Sequence, residues 1–521
     1  MNEEEQVEHH EDVVRDLSQE MTDRLAKLEA IRNLEIAYKD HFDRTHVIRE
    51  CLDLATAEPD KVLEQLEEID TKTDAAYKIC GRLMRFRNHG NLSFAQLQDI
   101  SGQMQLAFSK KKLGAERYQY LLKLIDAGDF VGVSGRLFMT KHGEITLYVF
   151  DVVLLSKTVR PMPEKYHGIA DKELAYRYRY LETMTSPEAK DRFLFRSHLT
   201  SHLRRFFEDR SFLEVETPIL ATKASGALAL PFQTHHNALD IDMYLRVAPE
   251  TYLKRMVVGG YEKVFEVAKC FRNEGIDPSH LQEFTQVEAY WSYVNYESWM
   301  ELTEELMEYL MKTLLNTDQL SVAGRDGAER IVSFARPYQR MTLRECIMNH
   351  SEVDIDEYPT REGLAAKIRS LYPELDGYEQ LGRGNMIDFL YKKVARPHIT
   401  GPLFLTHHPL DISPLARKND TNGATVDRFQ LVLNGWEVCN AYSELIDPVD
   451  QRERFLGQES ARAHGDVEAH MSDEDFLRAM EHGMPPMAGW GMGIDRLCAL
   501  LLKQDNLRDI VYFPMMRPVE E

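Results

Sequence analysis

No run of about 18 uninterrupted apolar residues occurs in the chain, so a membrane-spanning helix is not expected. The N-terminus, MNEEEQVEHHEDVV, is acidic and polar rather than basic then apolar. It is unlike a secretory or import signal, and the chain reads as cytoplasmic. Cysteine is scarce: Cys51, Cys80, Cys270, Cys346, Cys439 and Cys498 are scattered, with no CxxC pair. That spacing excludes a disulfide framework and suggests no zinc site, leaving reduced thiols. No glycine precedes Gly81, and no internal repeat or low-complexity tract occurs. Positive charge is also short, 63 Lys and Arg against 85 Asp and Glu, for a net charge of -22. Taken alone, that balance argues against nucleic acid.

The average hides a local exception. From Gly81 to Lys112 the bases Arg82, Arg85, Arg87, Lys110, Lys111 and Lys112 face one acid, Asp99, a local excess of five positive charges. A basic docking face and a solvated loop both fit that excess. With 521 residues, 43% hydrophobic and 28% charged, the chain suits a globular protein of two or more domains.

Residues 1–73 read as an acidic helical extension, more an appendage than a core. LAKLEAIRNLEIA and KVLEQLEEI repeat apolar residues at spacings of three and four. Residues 74–160 change to short strands: KICGRLMRFR, LSFAQLQDI, QMQLAFS, FVGVSGRLFMT and ITLYVFDVVLLS, parted by NHGN, SG and KHGE. Five strands with a helix at about 115–125 have the count of an OB-fold barrel, a fold that stacks single-stranded bases on aromatics. Phe94 stands near Arg85, Arg87 and Gln96, which suits that use, although a core phenylalanine suits a strand equally well. Residues 161–185 read as a linker opened by prolines. Residues 186–521 read as a larger unit of mixed helices and strands, with a helical block at 297–316 and a helix-rich insertion at about 340–400. Pro218 ends the strand FLEVETPIL or holds it at an edge.

Three stretches concentrate chemistry. VFEVAKCFR and EFTQVEAYWSY form a hairpin across NEGIDPSHLQ. Alternation puts Phe284, Gln286, Glu288 and Tyr290 on one face and Thr285, Val287, Ala289 and Trp291 on the other. The apolar face suits a core; the mixed face lines a pocket or meets water, and alternation does not choose. In FQLVLNGWEVCNAYSEL, Glu437, Asn440, Tyr442 and Glu444 are polar islands, the last three alternating on one face. In AGWGMGIDRL three alternating glycines imply close backbone approach of some other group, and Arg496 opens a helix. The spacing is not that of a dinucleotide-binding loop.

FLEVETPIL, the FRNEG…EFTQVEAY hairpin and GWGMGIDRL resemble, in order, the three motifs of class II aminoacyl-tRNA synthetases. RPMPEKYHGIADKELAYRYRYLE, PFQTHHNALDIDMYLRVAPETYLKRMVVGG and SPLARKND are similar to the lysine-specific members. The resemblance covers residues 75–518 and implies an α+β, multidomain chain. An N-terminal OB-fold β-barrel would bind the anticodon, and a class II catalytic domain would be built on an antiparallel sheet flanked by helices. It implies ligation of L-lysine to tRNA(Lys) through a lysyl-adenylate, with ATP as substrate, Mg²⁺ as cofactor and a homodimer formed across the first motif.

Site roles follow from the same resemblance. Arg272 would contact the α-phosphate and the lysine carboxylate, and Arg496 the far phosphates of a bent ATP. Phe284 would stack on adenine, with Glu274 and His280 nearby. Glu437 would hold Mg²⁺, and Gln430 stands where a second acidic ligand is usual. Glu288 and Glu444 would pair the lysine ammonium between Tyr290 and Tyr442; Glu250 and Gly226 would take the α-amino group, and Asn440 the carboxylate end. Arg85, Phe94, Gln96 and Glu144 resemble the anticodon-reading set. Gln430, Trp436, Leu281-Gln282, Leu230 and Gln286-Val287 depart from the family pattern. They keep two alternatives in view: a paralogue that lysylates a protein, and a tRNA-binding protein without catalysis.

Overall fold

The computed structural model describes residues 19–35, 38–59, 62, 75–162, 169, 171–223, 225–227, 229–323, 328–463 and 471–519. It divides into two compact units, Met1–Gly168 and Ile169–Glu521. Expectations placed on residues 1–18 and 63–74 lie outside the described residues. Among the described residues no helix is long and apolar enough to cross a membrane. All six cysteines are free thiols.

In the first unit, helix α1 (19–32) and α2 (Ile48–Ala57) precede five strands: β1 (Tyr77–His89), β2 (Leu92–Gln98), β3 (Gln103–Ser109), β4 (Phe130–Met139) and β5 (Ile145–Ser156). Helix α3 (Ala115–Leu124) lies between β3 and β4. The strands close in the order β1-β2-β3-β5-β4. Alternation of side chains, interrupted by bulges in β1 and β5, fills the barrel with Leu83, Leu97, Leu106, Val133 and Leu147.

The described part of the N-terminal extension is not the appendage expected. Leu28, Ile31, Ile48, Cys51 and Ala55 are buried in the barrel's own hydrophobic cluster. Lys27 Nζ lies 2.5 Å from Asp126 Oδ1, and Arg24 donates to the carbonyls of Ala127 and Thr158. The apolar stripe that makes α1 amphipathic thus finds its cover on the barrel.

In the second unit, residues 171–185, expected as linker, form helices α4 (Lys172–Arg177) and α5 (Arg179–Thr185). The Tyr176 hydroxyl donates to Asp509, and the buried Arg179 guanidinium donates to the carbonyls of Arg508, Val511 and Tyr512. Those bonds tie the segment to the C-terminal residues. Helix α6 (Pro187–Glu208) starts on Ser186, whose hydroxyl accepts from the Ala189 amide, with proline at N1.

FLEVETPIL is not the continuous strand expected. Only β6 (Leu213–Glu214) and β7 (Leu220–Ala221) are regular. Pro218 has no amide to give a ladder, and Arg246 instead pins Thr217 through its carbonyl and its hydroxyl. β7 joins β8 (Gln233–His236) and β9 (Ile241–Leu245) in a small sheet.

Helix α7 (Glu250–Val258) leads into β10 (Lys263–Phe271) and β11 (Glu283–Ser292). Helix α8 (Tyr296–Leu310) and the hairpin of β12 (Gln319–Ala323) and β13 (Glu329–Ser333) follow. β14 (Gln339–Thr342), β15 (Leu403–Thr406), β16 (Arg428–Leu433), β17 (Trp436–Ser443) and β18 (Met487–Gly493) complete an eight-stranded sheet. Its order is β14-β15-β16-β17-β18-β11-β10-β6. Pairing is antiparallel except for β14 with β15 and β10 with β6.

The helix-rich residues at about 340–400, with α9 (Leu343–His350), α10 (Arg361–Leu371) and α11 (Arg383–Leu390), connect the parallel pair β14 and β15, which no tight turn can join. Their apolar side chains, Cys346, Leu364, Ile368 and Met386 among them, pack on Leu403, Leu405 and Val432 of the sheet. The main core lies under the other sheet face. Val287 and Ala289 of β11 enter it as alternation predicts, beside Trp299 and Trp490, stacked 5.5 Å apart. The opposite face of β11, β17 and β18 is left for the site. β18 runs directly into α14 (Ile494–Leu501), after α12 (Pro448–Ala463) and α13 (Glu474–Glu481).

Candidate active site

Three strands form a trough. β18 is central, with β11 on one side and β17 on the other. Gly491 stands opposite both Glu288 and Asn440, and Gly489 opposite both Tyr290 and Tyr442. Side chains on the outer strands therefore rise as walls while the middle strand offers bare backbone as the floor. The approach foreseen for the glycines is real. A Cβ on Gly489 would lie 2.3 Å from Glu444 Oε1 and 2.5 Å from Tyr290 Cε1. The resulting cavity is about 340 Å³.

Its blind end is acidic. Glu288 is buried, accepts from Gln286 Nε2 at 2.5 Å and sits 3.3 Å from the Tyr290 hydroxyl. Burial first, then the charge of Glu250, pushes the Glu288 carboxyl up to about 8; Arg272 opposes the shift. Glu250, the first residue of α7, accepts from the Tyr442 hydroxyl at 2.6 Å. Gly226, at φ +93°, comes so close to Glu250 that a Cβ there would touch the Glu250 Cβ at 3.0 Å. Glu444 is buried against the trough face of Gly489 and is ion-paired with Lys254, which also reaches Glu250. Burial holds the Glu444 carboxyl well above the ordinary range, with Lys254 pulling it back. Burial likewise raises both tyrosines.

The other end is basic. Arg272 leaves β10 with its Cζ 5.0 Å from the Phe284 ring centroid. Its buried Nε has no hydrogen-bond partner among the described residues, so a donor is held ready for an anion. Arg496, in the first turn of α14, approaches His280 Nε2 at 3.4 Å and donates to the Glu437 carbonyl at 3.3 Å. Burial lowers its pKa. The neighbouring Asp495 pairs with Arg196 at 2.5 Å and accepts the Thr285 amide at 2.9 Å. One buried carboxylate thus fixes the start of β11, where Phe284 sits, against the helix that carries Arg496. Asp277 orders the intervening loop by bonding Ser279 and His280.

Glu437 reaches the cavity through an irregularity. Strict alternation from Asn440 would turn it the other way. The β16–β17 register pairs Leu431 with Cys439 and Val432 with Glu437, so Val438 is bulged and Glu437 joins the face of Asn440. Arg428 Nε donates to Asn440 Oδ1 at 2.9 Å, which leaves the Asn440 amide protons toward the cavity.

Gly226, Glu250, Arg272, Glu274, His280, Phe284, Glu288, Tyr290, Glu437, Asn440, Tyr442 and Arg496 all line the one cavity. Two expected residues do not. Glu444 lies over Gly489 yet is buried outside the lining, and Gln430, opposite Asn440, is likewise buried outside it. Among the described residues no cluster of three or more metal-binding side chains occurs. A magnesium ion takes one or two carboxylates and fills its other positions with phosphate oxygens and water. Glu437, a lining carboxylate beside Arg496, fits that pattern; Gln430 adds no charge to it.

Several departures acquire reasons. Gln282 closes its loop by donating to the Gly275 carbonyl at 3.0 Å, Leu281 packs on the main core, and Gln286 serves Glu288. Residue reasoning gives no role to Lys254 or Asp495, and it places Gln286 on the mixed face without one. The spacing of four between Glu250 and Lys254 on a helix was the available signal for the first.

In the barrel, Arg85, Gln96, Gln105 and Thr146 fall in one row across four strands. Glu144 accepts from Gln105 Nε2 at 2.8 Å. Phe94 is half-buried on the next row, opposite Arg87 and Ala107. The four expected residues thus share an outer face, with Arg87 and Gln105 added.

Comparison with known proteins gives the following. Residues 171–517 match the family described as tRNA synthetases class II (D, K and N), and residues 77–155 match the OB-fold nucleic acid binding domain. The lysine–tRNA ligase of Carboxydothermus hydrogenoformans is 42% identical over 496 residues, spanning 95% of this chain and 97% of that protein. Those of an Enterobacter species and of Salmonella paratyphi B are 40% and 41% identical, each over 98% of both chains.

Proposed function

The chain belongs to the lysine–tRNA ligase family of class II tRNA synthetases, and from that premise we propose how its trough selects lysine and activates it. The activity is ATP-dependent ligation of lysine to tRNA, in two steps. In the first, a lysine carboxylate oxygen attacks the α-phosphorus of ATP, the bond to pyrophosphate breaks, and lysyl-adenylate forms. In the second, a hydroxyl at the tRNA 3′ end attacks the acyl carbon and AMP leaves.

The nucleophile is already an anion, so positioning and charge cancellation carry the first step. The lysine side chain lies over Gly489 and Gly491 between Tyr290 and Tyr442, its ammonium against Glu288 and its α-ammonium against Glu250 near Gly226. Asn440 and Arg272 take the carboxylate; the planar fork of Arg272 also reaches the α-phosphate. Adenine stacks on Phe284, with Glu274 beside it, and Arg496 with His280 holds the outer phosphates. Bound magnesium would neutralise phosphate charge, with Glu437 as its carboxylate ligand. The observation that carries this reading is the polarity of the cavity: carboxylates at the blind end, guanidinium groups at the other. A dication with a terminal anion fits that order, and an amide or acidic side chain at the blind end would leave Glu288 unpaired.

Phe94, Arg85, Gln96 and Glu144 read the anticodon in this scheme, with Arg87 and Gln105 adding phosphate and base contacts. A homodimer forms across the first motif, where Leu213, Ile219 and Leu220 expose large apolar side chains. The cytoplasm, where reduced cysteines persist, is the proposed location. Lysine-dependent ATP–pyrophosphate exchange, run in parallel with ornithine, arginine and norleucine, tests the pocket. Exchange with lysine well above all three supports it, and equal exchange with norleucine rejects it.

A further inference from the structure

Lys254 lies wholly buried and outside the cavity lining, yet it touches both ends of the acidic site. Its ammonium is 2.5 Å from Glu250 Oε1 and closer still to Glu444 Oε2. The rings of Tyr442, Phe476 and Tyr290 surround it at 5.5, 5.7 and 6.0 Å from their centroids. Two carboxylates and three aromatic faces are what a buried ammonium needs. The protein has built a lysine-ammonium site and filled it with its own side chain.

Glu444 shows what that accomplishes. Lys254 is ion-paired with one oxygen, Oε2; the other, Oε1, has no ion-pair or hydrogen-bond partner among the described residues and stands directly over Gly489, which lines the cavity. The site holds three carboxylates, Glu250, Glu288 and Glu444, against one internal cation. Two carboxyl groups more than internal cations stand there, and lysine brings two ammonium groups. We propose that Lys254 is a positioning residue for substrate selection: an internal counter-ion to Glu250 and Glu444 that keeps Glu444 Oε1 facing the substrate's side-chain ammonium. This rests on the pocket reading above, in which the acidic end receives that ammonium.

The groups facing Lys254 agree. Glu250 is on its own helix, Glu288 and Tyr290 come from β11, Tyr442 from β17, and Glu444 lies just beyond β17. Asp473, the N-cap of α13, is bonded to Ser225. The pair keeps Lys254 protonated despite its burial, Glu250 and Glu444 outweighing desolvation. Without that cation three carboxylates would share one dry site, and protonation would relieve them. A protonated glutamate no longer attracts an ammonium, so loss of an internal positive charge weakens binding of a positive substrate.

Pyrophosphate exchange with the full chain tests this. Lys254→Met keeps the volume and removes the charge. The expected result is a lysine KM raised about thirtyfold or more near pH 7, with the ATP KM within about twofold. That KM should fall as pH rises toward about 8.5, because alkali ionises carboxyl groups that have lost their internal counter-ion. Lys254→Arg, which retains the charge, should recover most of the affinity. A lysine KM within about twofold of the parent, with an unchanged pH profile, overturns the proposal. If Lys254→Met does not fold, Lys254→Met with Glu444→Gln removes both partners. Its lysine KM should then be no worse than that of Glu444→Gln alone, and multiplied effects overturn the proposal. Glu288→Gln separates the two readings. A raised lysine KM there with none in Lys254→Met rejects the role of Lys254 only; no rise in either rejects the pocket.

Discussion

Gly489 and Glu444 are in such close register that a methyl group on Gly489 would stand 2.3 Å from the Glu444 Oε1 atom. The absence of a side chain at Gly489 is therefore what lets a buried carboxylate lie over the trough. Gly489→Ala should displace Glu444 or Tyr290 and raise the lysine KM about tenfold or more, because overpacking costs about 1–3 kcal/mol. The ATP KM should be unchanged. Exchange kinetics together with a melting curve check this, and an unaltered lysine KM would show that the floor is not used.

Gln286 gives Glu288 a 2.5 Å hydrogen bond inside the protein. Replacing it with methionine removes a donor to the ionised form, so the Glu288 carboxyl should rise further. The expected outcome is a lysine KM raised about tenfold near pH 7 and less so near pH 9, since a hydrogen bond to a charged group is worth about 1.5–3 kcal/mol. A pH-independent change would assign Gln286 to packing instead.

The Glu288 shift also has a stability consequence. Its folded pKa, about 8, lies above the ordinary 4.5. Between those values the folded protein holds a proton that the unfolded chain has released, so this group's contribution is present at low pH and lost as pH rises through about 8. Glu288→Gln carries no such proton. Its melting temperature relative to the parent should therefore climb from about pH 5 to about pH 9, and added lysine should reverse the order at the alkaline end. A difference constant with pH would contradict the shift.

The barrel and the catalytic trough were legible to different degrees. The five barrel strands follow from short strand-forming runs parted by turns, and both faces of β11 follow from period-two alternation, because that strand has one face in a core. Glu437 was not legible that way: the bulge at Val438 reverses it, and bulges follow from pairing rather than from local sequence. The glycines of β18 signalled a close approach without saying of what, since Glu444 and Tyr290 come from other strands. Lys254 was hidden because α7 reads as an ordinary amphipathic helix whose lysine would be taken for surface. The apolar stripe of α1 announced a helix but not the barrel that covers it.

Phe94 supplies a test that leaves the trough alone. Phe94→Ala should raise the tRNA KM in aminoacylation about tenfold or more, stacking being worth about 1–3 kcal/mol per base. Pyrophosphate exchange, which needs no tRNA, should stay at the parental rate. Loss of exchange in this variant would mean that the barrel matters to the trough in some other way.

The central claim, that buried carboxylates in a bare-floored trough select lysine by its side-chain ammonium, is tested most directly by Glu288→Gln. Exchange rates would be measured across lysine concentration at saturating ATP, then across ATP at saturating lysine. The lysine KM should rise about a hundredfold, as expected on removing the charged partner of a buried pair, with an unchanged ATP KM. An unchanged lysine KM, or an equal rise in both constants, would contradict it.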